Sequence, residues 1–100
     1  MIVTNTTYDN SVTLARDHAE EKGFYFIQDT GLPDYTEIPL WIMQGYCLLA
    51  EEATIQLTNL EVRPTHVFLQ CGVGSFTAAV AAFLYNKYER NPPKIIVFEP

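Results

Sequence analysis

The 100-residue sequence has only two cysteines, two histidines and six basic side chains, and each scarcity removes a class of function. Cys47 and Cys71 lie too far apart for a CxxC redox pair or zinc knuckle, and both sit inside apolar patterns, which reads as two reduced thiols in a cytosolic, cytoplasmic protein. His18 and His66 are isolated, there is no HExxH, and the carboxylates are scattered, so no metal site is expected. A Ser-His-Asp arrangement also lacks its signature, because the glycine-rich turn is not GxSxG and His66 falls within a strand pattern. The few Lys and Arg residues are dispersed and the net charge is -6, which excludes a basic stripe for nucleic acid or an anionic membrane; a solvated acidic surface accounts for the charge. Gln44, Glu51, Glu52, Gln56, Asn86 and Lys87 break the apolar runs before a membrane span of about 18 residues accumulates. The opening MIVTNTTYDN has no basic stretch followed by an apolar one, so no secretory signal is expected.

Hydrophobic residues make up 48% of the chain and charged ones 18%, a balance that favours a folded piece with one core over a disordered tail. There is no repeat, low-complexity tract or linker, so residues 1–100 read as a single α/β domain. A helix is predicted from Asp9 to Lys22, with Val12, Ala15 and Ala19 on one face, Thr7 or Asp9 capping it and Gly23 ending it. FYFIQ, Phe24 to Gln28, is nearly continuously apolar, the pattern of an interior parallel strand covered on both faces. Gly31, Pro33, Asp34 and Pro39 then supply turns.

Pro39 suits a helix's first turn, and Ile42, Tyr46, Leu49, Ala53 and Leu57 recur at three- and four-residue steps, which predicts the longest helix from Pro39 to Leu57. A strand over Thr65 to Gln70 runs into Cys71-Gly72-Val73-Gly74-Ser75, a third helix starts at Ser75, and a last strand covers Ile95 to Phe98. The expected fold class is therefore a three-layer α/β/α arrangement on a short parallel sheet of three strands. Asp29, Gly72 and Glu99 would share its carboxyl edge, where open α/β sheets bind ligands. Tyr25, Tyr35, Trp41 and Tyr46 read as packing groups, since no basic residues interleave them.

Gly72 and Gly74 can take positive φ and expose bare amides, while Ser75 adds a hydroxyl at a helix N-terminus, a combination suited to a phosphate. The turn matches neither GxGxxG nor a P-loop, so anion binding and a merely tight strand-to-helix turn both stand as readings. Asp29 also has two readings: a proton acceptor at a strand end, or a cap for the amides of Thr30 and Gly31.

Three segments carry a family resemblance: QDT at Gln28 to Thr30, IPLWIMQGY at Ile38 to Tyr46, and LQCGVGS at Leu69 to Ser75. With their flanks they resemble the central part of the diaminopropionate ammonia-lyases, tryptophan-synthase β-like (fold type II) enzymes that use pyridoxal 5'-phosphate. The family more often has alanine where Cys71 stands and a tryptophan where Gly31-Leu32 stand. The resemblance implies elimination of ammonia from 2,3-diaminopropionate, of either hand, to give pyruvate and a second ammonia. It implies that Gly72, Val73, Gly74 and Ser75 bind the cofactor phosphate and that Asp29 takes the α-proton of the D-isomer.

The resemblance further implies that the cofactor-bearing lysine lies upstream of this stretch; Lys22 and Lys94 fall at helix-end and strand-start surface positions and Lys87 late in a helix, so none of them is a Schiff-base candidate. The chain alone is therefore expected to be inactive, an excised or split piece of a longer enzyme or a truncated product, with the rest of that enzyme as its partner. Self-association or a homodimer is expected from uncovered sheet edges. The alternatives are a non-catalytic flavodoxin-like interaction domain and another fold type II enzyme such as a threonine dehydratase.

Overall fold

Among the described residues, 3–99 of a computed structural model, the elements follow as α1 (Tyr8–Lys22), α2 (Glu37–Asn59), β1 (His66–Gln70), α3 (Ser75–Lys87) and β2 (Lys94–Phe98). Met1, Ile2 and Pro100, the ends of the expected 1–100 domain, lie outside the described residues. The strands pair in parallel, with Val67 opposite Ile95 and Leu69 opposite Val97, and α3 makes the crossover between them. The α/β class with a short parallel sheet follows directly from that pairing.

The core forms where α2 and α3 pack together against one face of the sheet. Ala50, Leu69, Val80 and Leu84 are buried at its centre, and Val67, Phe76, Phe83, Tyr88 and Ile95 close around them. Small residues at the helix contact let the backbones approach, so the Cys47 thiol of α2 reaches to 3.9 Å from the Ala79 carbonyl of α3. Tyr46 meets the Phe76 ring edge-on at 5.3 Å.

Both ends of α1 follow ordinary capping rules. Thr7 Oγ1 accepts from the Asn10 amide at 3.4 Å, and Gly23 takes the left-handed conformation, φ 67°, while its amide bonds back into the last turn of α1. The second helix begins at Glu37, so Pro39 occupies its third position rather than its first. The missing amide costs nothing there either, because the first four amides of a helix have no intrahelical acceptor.

Three expectations are corrected. Phe24 to Gln28 is extended but is not a strand, and the sheet has two strands among the described residues, not three. Phe24, Tyr25 and Ile27 are exposed, because no neighbouring strand offers the segment a ladder and α1 packs on neither the sheet nor the helix pair to any extent. The buried stripe of α2 is Pro39, Ala50 and Thr54; of the expected series Ile42, Tyr46 and Leu57 are half-buried, as are Met43 and Cys47, whereas Leu49 and Ala53 face outward. The apolar residues run almost all round this helix, so spacing alone did not single out the face that α3 covers. Finally, Tyr25 and Trp41, expected as packing groups, are 89% and 57% exposed.

The molecule measures 52 × 27 × 25 Å and its radius of gyration is 17.1 Å, against about 13 Å for a compact chain of this length. The excess comes from α1 and the segment after it, which stand off the body. Phe68, Ile96 and Phe98 share the face of the sheet turned away from the core, and all three are exposed.

Two substitutions separate the two faces. Leu84→Ala should lower stability by about 2–4 kcal/mol, the usual result of emptying a buried leucine site, while Phe68→Thr on the open face should change it by less than about 1 kcal/mol. Urea unfolding monitored by circular dichroism checks both; equal losses would mean that the open face is packed.

Candidate functional site

The turn between β1 and α3 is held from both sides. The Cys71 amide donates to the Phe98 carbonyl at 2.9 Å, which carries the parallel ladder one step past β1. Thr77, buried in the first turn of α3, donates its hydroxyl to the Gln70 carbonyl at 2.6 Å and ties the helix back to the end of the strand. Between these ties Gly74 takes φ 95°, a conformation that a side chain would strain. Gly72 does not adopt positive φ, contrary to expectation, and its position is open enough that an added Cβ would meet nothing.

Tight reversal leaves donors free. Among the described residues no acceptor takes the amides of Gly72, Val73, Gly74 or Ser75; the first helical bond is from the Ala78 amide to the Gly74 carbonyl, 2.8 Å. The positive end of α3 points the same way, so the turn presents partial positive charge.

Asp29 reaches this turn from a different part of the chain. The backbone of residues 24–28 lacks a strand partner, and Tyr35 replaces it: its hydroxyl donates to the Phe26 carbonyl at 2.7 Å and accepts from the Gln28 amide at 3.0 Å. The Tyr35 ring packs on Phe26 at 5.5 Å, and a reverse turn in which Leu32 and Tyr35 exchange backbone hydrogen bonds returns Tyr35 to this position. Side chains alternate along the extended backbone. Gln28 and Thr30 face α1, where Gln28 Nε2 and Thr30 Oγ1 are buried without a hydrogen-bond partner, and Asp29 faces the opposite way.

There Ser75 Oγ donates to Asp29 Oδ2 at 3.2 Å. Ser75 is itself buried. The amides of Thr30 and Gly31, expected as alternative partners for Asp29, make no hydrogen bond to it. Asp29, Val73, Gly74 and Ser75 all line one cavity of about 720 Å³, whose remaining wall includes Glu37, Pro39, Leu40 and Met43. Gly72 lies outside that cavity, exposed on the turn, and Glu99 is exposed beyond the end of β2.

Of the sequence-derived candidates, four of five thus converge. Tyr35 and Thr77 were missed, because a hydroxyl that substitutes for a strand partner leaves no periodic signal. The Ser75 to Asp29 contact joins positions 46 residues apart and had no local signature either.

Removing either clamp should loosen the site. Tyr35→Phe and Thr77→Val each delete a hydroxyl that satisfies buried or half-buried backbone, and each should cost about 1–2 kcal/mol in urea unfolding. Unchanged midpoints would show that neither hydroxyl holds the site together.

No protein-family model matches the chain. The diaminopropionate ammonia-lyase of Escherichia coli is 44% identical over 99 residues, which cover 99% of this chain and 25% of that enzyme. The enzyme of the same name from Salmonella typhimurium is 49% identical over 100 residues, covering 98% of this chain and 24% of it. The E. coli enzyme in its apo form superposes with a TM-score of 0.94 at 44% identity, over 99% of this chain and 27% of that one. Its complex with D-serine gives 0.92 at 44% identity, over 96% of this chain and 25% of that one. Its complex with an aminoacrylate-PLP azomethine reaction intermediate gives 0.87 at 42% identity, over 98% and 25%. The chain spans about a quarter of the length of these relatives, and over that quarter, in sequence and in fold, it is similar to diaminopropionate ammonia-lyase, a pyridoxal-phosphate enzyme.

Proposed function

We propose that these residues supply the phosphate-binding turn and one proton-accepting carboxylate of a pyridoxal 5'-phosphate-dependent ammonia-lyase that converts 2,3-diaminopropionate to pyruvate and ammonia. The observation that carries this reading is the convergence of Asp29 with Val73, Gly74 and Ser75 on one cavity, with the turn's amides free. Free amides at a helix N-terminus fit a phosphate dianion, so Gly72, Val73, Gly74 and Ser75 are assigned to it. Pyridoxal phosphate, when bound, supplies the electron sink that makes a substrate α-proton removable. Asp29 then accepts that proton from the D-isomer, its carboxylate lining the same cavity as the turn. Leu40 and Met43 give the cavity an apolar wall beside the carboxylate.

These residues bring no anchoring amine to the cavity. None of the three lysines lines it: Lys22 pairs with Glu21 at 2.9 Å at the end of α1, Lys87 lies over Phe83, and Lys94 starts β2 at the far end of the sheet. The amine that anchors the cofactor is therefore assigned to another segment of the enzyme. The open face of Phe68, Ile96 and Phe98 supports association with that remainder, or with a second copy. Among the described residues no helix is long and apolar enough to cross a membrane, and a cytoplasmic location is proposed with the rest.

Two measurements on the 100-residue chain test the reading. Pyridoxal phosphate, followed by amide ¹⁵N–¹H spectra, should shift the signals of Gly72 to Ser75, and Gly74→Val should abolish the shifts by straining the turn. Ammonia and pyruvate release from 2,3-diaminopropionate should stay at background. Silent amides would remove the phosphate assignment, and turnover would refute the placement of the anchoring amine elsewhere.

A further inference from the structure

Ser75 has one hydroxyl proton, and in this structure it is spent on Asp29 at 3.2 Å. The same hydroxyl sits on the first residue of α3, next to the free amides of Val73 and Gly74, in the cavity that all of these residues line. One proton cannot serve two anions. We propose that Ser75 is a positioning residue that passes its hydrogen bond from Asp29 to an anion entering the turn, so that loading of the turn frees the Asp29 carboxylate to face the substrate. This rests on the reading of the turn as a phosphate site.

The geometry constrains where the exchange can occur. Ser75 is held by its place on α3, whose first turn is tied to β1 through Thr77, so rotation of the hydroxyl, not movement of the backbone, is the available change. The backbone immediately before Asp29 is held by Tyr35, at Phe26 and Gln28, but the Asp29 side chain has no partner other than Ser75 among the described residues, so losing Ser75 leaves its carboxylate free within the cavity. Glu37 is the other charged residue lining that cavity, and no lysine, arginine or histidine there competes for the carboxylate. Linkage makes the exchange reciprocal: whatever Asp29 gains from Ser75 is lost to the anion in equal measure.

The test is a double-mutant cycle on the affinity of the 100-residue chain for inorganic phosphate, read from amide shifts at Gly72 to Ser75. Asp29→Asn should tighten phosphate by about ten-fold in the Ser75 protein, because a like charge is removed and the charge-assisted bond that competes for the hydroxyl is reduced to a weaker, neutral one. In Ser75→Ala the same Asp29 change should tighten it only about two- to three-fold, since the charge alone is left to act. Ser75→Thr keeps the hydroxyl and should restore the larger gain, which a purely structural role for Ser75 would not require. Equal gains with and without the hydroxyl, while phosphate still binds, would overturn the exchange and leave the phosphate site intact. Amides that do not respond to phosphate in any of these proteins would overturn both. If Ser75→Ala does not fold, the Asp29→Asn gain measured in Ser75→Cys, whose thiol is a poor donor, decides the same question.

Discussion

The hydrogen bond from Ser75 to Asp29 is the constraint on which the site depends, because it is the only hydrogen bond among the described residues that joins residues 3–35 to the body built by α2, α3 and the sheet. Everything upstream of it is organised around α1 and Tyr35, and everything downstream around the core of Ala50, Leu69, Val80 and Leu84. A hydrogen bond to a charged group is worth more than a neutral one, yet a single bond gives little mechanical stiffness against water. The two halves of the site therefore meet with accurate geometry but with little packed surface between them, which agrees with the elongated shape.

The sheet explains why so much apolar surface is left in view. β2 carries apolar residues on both faces, Ile95 and Val97 on one and Ile96 and Phe98 on the other, and β1 adds Phe68 to the second, but α2 and α3 cover only the first. Phe24, Tyr25 and Ile27 repeat the pattern on a segment whose backbone finds a tyrosine hydroxyl instead of a strand. These faces fit a chain that spans a quarter of the relatives it matches.

Much of this was legible in the sequence, for identifiable reasons. The helix at Ser75 follows from a glycine turn and a regular apolar run, and Gly23 ends α1 because few other residues tolerate its left-handed backbone. The strand at FYFIQ was misread because composition reports what a segment tolerates, not whether a neighbouring strand is within reach. The face of α2 was read only in part: Ile42, Tyr46 and Leu57 are half-buried, but Leu49 and Ala53 face outward while Ala50 and Thr54 are buried, a choice that was made by α3. Asp29 and Ser75 were each singled out from their local sequence, but the contact between them was not, since contacts across such a separation are set by tertiary packing alone.

The central claim is that the main-chain donors of the turn face outward toward negative charge, with Ser75 poised between that charge and Asp29. A crystal structure of the chain grown or soaked with pyridoxal phosphate tests it most directly. The expected result is phosphate density within hydrogen-bond distance of the amides from Gly72 to Ser75, with Ser75 Oγ turned from Asp29 toward a phosphate oxygen. Density absent from the turn, or amides turned inward onto the protein's own carbonyls, would contradict it.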